Sequence, residues 1–493
     1  MTEKQLLQRI SGLLLSLIML LACFSGCSNR SDTMANPQPP IYTPEGTEVT
    51  LRILTEDFDG ISRMPDLIEE IAEKYSAEHE NVTIEIEVLP FGKDDGDRDA
   101  FIEQMRVAIM AGKGPDVYLF PTSLAGNEML FNDLKLSMQN GIFREISAYY
   151  EADEELHKEE LNQTVMDAGT YGKAWYILPL RYDFPVLAVN QENMKKYGLT
   201  VEDINTTEKL MNTVLAAQDP AVINGAYIDA INMDYFFPQF VDYENREVLV
   251  TDDEIATFMK QYQEWMNRYS ADSWGENRAS SGPSWIHYYK AFELYWTLDG
   301  YPFNVETVTS ILDSKMIAKA LNEDIEVYPL SSADGSLIAH IEYWGAVGSN
   351  CEHPDIAYDF LREFLSREAQ WELNRDPLHI SRYQSFYEDG VPVRNKGSML
   401  PLAQVVKYMA TEYWPTGDDI EKRSLMLQAV TIEESDIPVW YAEIDEVRFA
   451  SPRVEQLYSE ISRMLFQDSN PNVDYDEMAK EFEMDLRYLL AEG

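Results

Sequence analysis

GTYGKAWYILPLRYDFPVLAVN, residues 169 to 190, decides how the rest of the chain is read. A Gly/Tyr turn leads into a short apolar run ending at Pro179. A polar step follows at Arg181, Tyr182 and Asp183, and a second apolar run closes at Asn190. Prolines at 179 and 185 bias Leu178 and Phe184 toward extended backbone, which disfavours one long helix and predicts two strands meeting across a bend. The run Val186 to Val189 suffices for one strand, and the sequence on either side reads as separate α/β units. We read the segment as a crossing between two lobes, with Arg181, Tyr182 and Asp183 where a cleft would open. A βαβ loop inside one domain is the alternative.

Working outward, 493 residues exceed one comfortable core and imply two or three domains. An apolar content of 45% with 12% aromatics fills such cores and excludes disorder over most of the length. Thirty-nine Lys and Arg against 86 Asp and Glu give a net charge of -47. A surface this acidic repels phosphate backbones and anionic lipid, so a nucleic-acid binder or polybasic membrane binder is disfavoured, while a neutral or cationic ligand fits. Cysteines stand only at 23, 27 and 351, leaving no disulfide framework.

Lys4 and Arg9 precede a run from Gly12 to Phe24 that is apolar but for Ser16 and Cys23. That is a signal-peptide pattern, too short for a permanent membrane span. Phe24-Ser25-Gly26-Cys27-Ser28 resembles a bacterial lipobox, with small residues ahead of a cysteine that is lipidated after cleavage; Leu20-Leu21-Ala22-Cys23 is a competing match. Cys27 is preferred because the polar, Pro-rich stretch begins directly after it. Residues 1–26 are then the signal peptide and 27–46 a flexible tether.

Beyond the tether, Val49–Leu54 reads as a strand and Met64–His79 as a helix, with Leu67, Ile68, Ile71, Ala72 and Tyr75 at helical spacing. Val82–Val88 alternates as a second strand, completing a βαβ unit. The acidic stretch Gly92–Asp99 lacks the spacing and closing glutamate of a calcium loop and reads as a solvated loop. Ala100–Ala111 is helical in pattern, ended by Gly112 to Gly114, and Asp116–Phe120 is the next strand. Further on, helices are predicted at Ile204–Ala217, Asp253–Tyr269, Pro354–Leu365, Leu400–Tyr413, Ile420–Ile432, Val454–Phe466 and Tyr475–Leu490. Strands are predicted at Ile325–Pro329 and Leu337–Gly345.

In this order the pieces resemble the extracellular solute-binding proteins of bacterial ABC importers, in particular the large carbohydrate-binding family. The resemblance rests on the lipobox, on Arg106 to Tyr118 (RVAIMAGKGPDVY), and on Gly172 to Pro179 (GKAWYILP) followed by Leu187 to Asn190. Tyr328-Pro329-Leu330, Asp334-Gly335, His353 to Trp371 and the closing Tyr488 to Glu492 add to it. It implies an α/β, two-lobed, type II periplasmic-binding-protein-like fold whose lobes are joined by hinge crossings. The first lobe would comprise 47–183 and 345–395, the second, more helical one 184–344 and 396–493. Motifs of the family are weak between Phe386 and Ala450, a region that either reshapes the cleft or forms an added subdomain. The resemblance further implies capture of a solute and its delivery to ABC permease subunits by a monomer, without catalysis or cofactor.

Sugar recognition needs aromatic faces for the C–H side of a ring and fixed partners for its hydroxyls. Phe120 matches the place where the family often carries a first-lobe aromatic. Trp296 in AFELYW and Trp344 in EYWGAVG are the leading second-lobe and hinge-side candidates respectively, with Tyr295, Tyr343 and Tyr182 behind them. Asp57, Arg181, Asp183 and Glu342 are candidate hydroxyl or charge partners. For each aromatic the competing reading is core packing, and for each charge an exposed ion or hinge salt bridge. An alanine at Trp344 is expected to weaken ligand binding without unfolding the protein.

Other functions stay in competition at this stage. A peptide or other organic solute, or a sensory or structural surface lipoprotein, would fit the same lobes. An extracellular glycoside hydrolase needs paired carboxylates, which carry no diagnostic weight among 86 acids. No Ser-His-Asp order, HExxH motif or Cys/His cluster points to other hydrolytic chemistry, and six dispersed histidines suggest no metal centre.

Overall fold

A computed structural model describes residues 39–56, 64–89, 96–122, 129–224, 240–242, 246–273, 302–307, 325–366, 368–370, 391–392, 443–449 and 474–492. The helices predicted at Leu400–Tyr413, Ile420–Ile432 and Val454–Phe466 lie outside them.

The βαβ start forms as its periodicities require. Strand β1 (Val49–Glu56) leads to helix α1 (Met64–Glu78), which buries Leu67, Ile68, Ile71, Ala72 and Tyr75 on one stripe, and returns as β2 (Val82–Leu89). β1 and β2 pair in parallel along their whole length, Val49 opposite Val82 through Glu56 opposite Leu89. Helix α2 (Gly96–Met110) begins four residues ahead of its sequence-predicted start, so Arg98 belongs to a helical turn instead of a solvated loop. Gly112 ends that region with a φ of 71°, a left-handed conformation that glycine adopts without strain. The chain then enters β3 (Val117–Pro121), parallel to β1.

After short helices that include α3 (Leu134–Gln139) and α4 (Ser147–Ala152) come the strands of the crossing, β4 (Ile177–Asp183) and β5 (Pro185–Asn190). Phe184 alone separates them, yet they belong to different sheets. β4 joins the first sheet, while β5 is the middle strand of a second, antiparallel one between β6 (Phe303–Thr307) and β7 (Ile325–Pro329). Strand β8 (Ile338–Val347) returns to the first sheet. It runs antiparallel to both β3 and β4, and β9 (Glu446–Phe449) pairs with its first half. The strand order is Val391–Pro392, β4, β8, β3, β1, β2, with β9 beside β8 past the end of β3.

Each sheet supports its own apolar core. The first gathers Leu51, Ile53, Leu119, Leu178 and Ala346 under helix α1 and helix α6 (Pro354–Arg362), whose Phe360 and Leu361 are fully covered. The second packs Leu187 and Val189 of β5 and Phe303 of β6 against helix α5 (Asp252–Ser273) and helix α7 (Tyr475–Glu492), through Ile255, Met259, Phe482 and Leu486. Each buried Leu, Ile, Phe or Met here contributes about 1.5–3 kcal/mol of burial, and the two clusters are made from different sheets. The chain passes between them from β4 to β5, from β7 to β8, and between β9 and α7.

The last residues of the stretch read as a tether lie on the body. The Ile41 amide donates to the Tyr149 hydroxyl at 2.8 Å, and that hydroxyl donates back to the Ile41 carbonyl at 3.0 Å. Two residues on, the Thr43 amide and hydroxyl each donate to the Asp355 carboxylate at 2.6 Å.

Candidate functional site

Because β3 and β4 both run antiparallel to β8, the carboxyl ends of β1, β3 and β4 lie at one end of the first sheet. Open α/β sheets bind ligands beyond that end, where loops leave the strands and helix amino ends converge. Here it is also the end from which the crossing to the second sheet departs.

The side chains at this end come from four strands. Glu56 closes β1 and forms an ion pair with Arg98 of α2 at 2.5 Å, both side chains almost wholly covered (0% and 3% exposed). Burial pushes the Glu56 carboxyl up to about 7, outweighing the lowering by the guanidinium. The Tyr343 hydroxyl donates to the Leu119 carbonyl at 3.3 Å and lies 3.2 Å from Thr55 Oγ1, linking β8 to β3 and β1. The register of β8 on β4 slips twice within a few residues, leaving Glu342 extra on one strand and Leu180 extra on the other. Pro179 sits at the second slip, where it has no N–H to give to the ladder. The carbonyl of Glu342 is taken by the Thr122 amide at 2.9 Å.

At the crossing itself, Asp183 of β4, His340 of β8 and Arg448 of β9 occupy one row of paired positions. His340 is buried, and burial together with the charge of Arg448 pushes its imidazole down to about 3, so it stays neutral at ordinary pH. Glu446 holds the Arg448 guanidinium through two contacts of 2.7 and 3.1 Å.

Of the candidates from sequence, Arg181, Asp183, Glu342 and Tyr343 are brought together at this end of the sheet. Asp183 and Glu342 are partly exposed there, whereas Arg181 and Tyr343 are buried. Phe120 and Trp344 are also neighbours, but inward ones. Each is 1% exposed, and the indole is enclosed by Phe120, Phe131 and Phe143 with centroid distances of 5.4 to 6.0 Å. These rings are core residues, because strand alternation sets them on the face covered by the segment that carries Phe131 and Phe143. The Tyr182 ring is likewise fully buried, stacked 6.1 Å from Phe184. Cys27, Asp57, Tyr295 and Trp296 lie outside the described residues.

Two arrangements escaped the sequence reading. Arg98 lies in the acidic stretch Gly92–Asp99, which reads as a solvated loop, and the aspartates around it conceal its buried partner Glu56. His340 stands in an apolar alternation, IAHIEYW, and carried no signal that separated it from core. Among the described residues no group of three His, Cys, Asp or Glu could hold a metal ion, and no helix is long and apolar enough to cross a membrane.

The chain is similar in fold to known binding proteins. It superposes on the sugar-binding protein MalE from the phytopathogen Xanthomonas citri with a TM-score of 0.55 at 13% identity, over 90% of this chain and 98% of that one. A periplasmic oligogalacturonide binding protein from Yersinia enterocolitica gives 0.50 at 14% identity, over 90% and 99%. These likenesses establish the type II periplasmic-binding-protein-like α/β fold expected from the sequence. No curated protein sequence is significantly similar to the chain. The pattern of the family described as bacterial extracellular solute-binding protein matches residues 61–371, which is more than half of the chain. The chain therefore belongs to the bacterial extracellular solute-binding proteins.

Proposed function

We propose that this protein captures a sugar or oligosaccharide between two lobes and hands it to the permease subunits of an ABC importer. It works as a monomer held by a lipid on Cys27 at the outer face of the cytoplasmic membrane. The observation that carries the reading is the crossing at Phe184, where one residue separates strands of two independently cored sheets. Two bodies joined by such short links swing about them, and a solute that contacts both shifts the population toward closure. The two structural relatives, named for binding a sugar and an oligogalacturonide, favour a carbohydrate.

The first lobe is taken as 47–183 with 345–395 and the second as 184–344 with 396–493, moving residues 338–344 and 446–449 to the first because β8 and β9 pair into its sheet. In this reading Asp183 and Glu342 supply hydroxyl partners from the hinge side, with Arg181 and Tyr343 behind them. Asp57, Tyr295 and Trp296 are kept as ligand candidates from the sequence alone. Phe120, Tyr182 and Trp344 are left to the core that supports them. The family is one of binding proteins, and no catalytic step is assigned.

A thermal-shift screen over mono- and oligosaccharides, peptides and polyamines, followed by X-ray scattering with the best ligand, tests this. Stabilisation by a saccharide together with a smaller radius of gyration is expected. Stabilisation by peptides alone would replace the carbohydrate, and identical scattering profiles at saturation would remove the closure.

A further inference from the structure

Strand β2 is the outermost strand of the first sheet. Its inner edge is paired with β1 at all eight positions, and no described strand lies on its outer edge. In a parallel sheet alternate residues turn both their N–H and C=O to the same side, so about half of the β2 main chain faces outward. The sequence VTIEIEVL contains neither Gly nor Pro to interrupt it, and Val88 is 42% exposed.

Next to β2, a groove of about 380 Å³ is lined by helix α2 and by residues of β2 and β1. Phe101 and Met105 form its apolar wall, and Glu85 and Glu87 of β2 line the opposite side. Both glutamates are exposed and make no ion pair among the described residues. Arg52, paired in register with Glu85, is engaged elsewhere. Its guanidinium donates to the Gly114 carbonyl at 2.6 Å and lies 3.5 Å from Asp116. Lys113 lines the same groove and is exposed.

We propose that the β2 edge and this groove form a second binding site, separate from the interlobe site, for an extended basic segment of another polypeptide. The segment adds a strand to β2, giving main-chain hydrogen bonds to the open edge. Alternate lysine or arginine side chains lay their aliphatic stems against Phe101 and Met105 and bring their charges to Glu85 and Glu87. Lys113 bars a cation from its own end of the groove, which sets the register of the basic positions. A second copy of this chain does not fit, since it would bring its own Glu85 and Glu87 against the same carboxylates on a molecule of net charge -47.

The test uses the intact protein and a fluorescent octapeptide of alternating lysine and valine, with a proline-substituted copy and a glutamate–valine counterpart, at physiological salt. Saturable binding of the lysine peptide is expected, with slowed amide exchange in Val82–Leu89, a loss of at least tenfold for the proline copy and no binding of the acidic one. The double variant Glu85→Lys/Glu87→Lys should weaken the lysine peptide at least tenfold and admit the acidic one, with the same melting temperature as the wild type. Equal binding of the proline copy, or binding without slowed exchange in β2, would show mere attraction to an acidic protein and overturn the proposal. No binding at all would also overturn it, leaving the glutamates as guards of the sheet edge.

Discussion

Trp344 stacks on Phe120, ring centroids 6.0 Å apart and planes 25° from parallel, on paired positions of β8 and β3. Two rings that sequence reading offered to a ligand have taken each other. Trp344→Ala is therefore a cavity-forming change, expected to cost about 3–5 kcal/mol of folding stability. Urea unfolding of the variant measures it. A variant as stable as the wild type but defective in sugar binding would restore the indole to the ligand.

His340 gives the protein an acid-sensitive component. Its imidazole titrates far below the ordinary 6.5, so the stability it contributes is complete above that value and is lost as pH falls toward 3. Its ring resonances should stay those of a neutral imidazole from pH 8 to 5. His340→Gln should reduce the loss of stability below pH 6.5 relative to wild type. An imidazole that titrates near 6.5 in the folded protein would contradict its burial beside Arg448.

Glu56 works in the opposite direction. Its carboxyl is raised from 4.5 to about 7, so the folded state holds a proton that the unfolded state has released, and this contribution is lost as pH rises across that window. The change is on the order of 3 kcal/mol. Glu56→Gln should abolish this share of the pH dependence, seen as a difference between variant and wild-type unfolding midpoints that changes steadily from pH 4.5 to 8. Parallel profiles would place the carboxyl near its ordinary value and require the pair with Arg98 to outweigh burial.

The bonds from Ile41 to Tyr149 and from Thr43 to Asp355 fix where the amino-terminal chain meets the body. The Ile41 and Thr43 amides should exchange slowly, and Tyr149→Phe with Asp355→Ala should speed both at least tenfold while Val49–Glu56 keeps its protection. Unchanged exchange would mean that the segment is held by other contacts.

Gly169 is irreplaceable for a steric reason. A Cβ there would lie 2.0 Å from the Ile177 carbonyl oxygen, the turn that starts β4 being closed by Tyr176 and Ile177 amides donating to the Gly169 carbonyl. Gly169→Ala should cost on the order of 3 kcal/mol and shift the melting temperature downward. At Gly141 the added Cβ meets nothing, but φ is 69°, so alanine there should cost only about 1 kcal/mol.

The opening βαβ unit was legible because local periodicity and burial agree. A period of two in Val82–Leu89 and an apolar stripe from Leu67 to Tyr75 require no knowledge of the rest of the chain. The crossing was legible for another local reason, the two prolines that keep the backbone extended around Phe184. The site was less so. Asp183 and Glu342 were found as charges next to a bend, but Arg98 was hidden by the acidic residues around it.

By itself the sequence determined the type of the opening βαβ elements and of the crossing strands, the α/β class and the place where the chain leaves its first sheet, but not the strands at Phe303–Thr307 and Glu446–Phe449. Backbone sterics and side-chain period act over a few residues, and all three follow from them. Only the tertiary structure decided which aromatic rings face inward and which charges find partners. Phe120 meets Trp344 more than two hundred residues away, and Glu56 meets Arg98 across a whole helix and a whole strand. Those contacts depend on strand order and on the two register slips in β8, quantities that arise when distant segments pair and that no local pattern encodes.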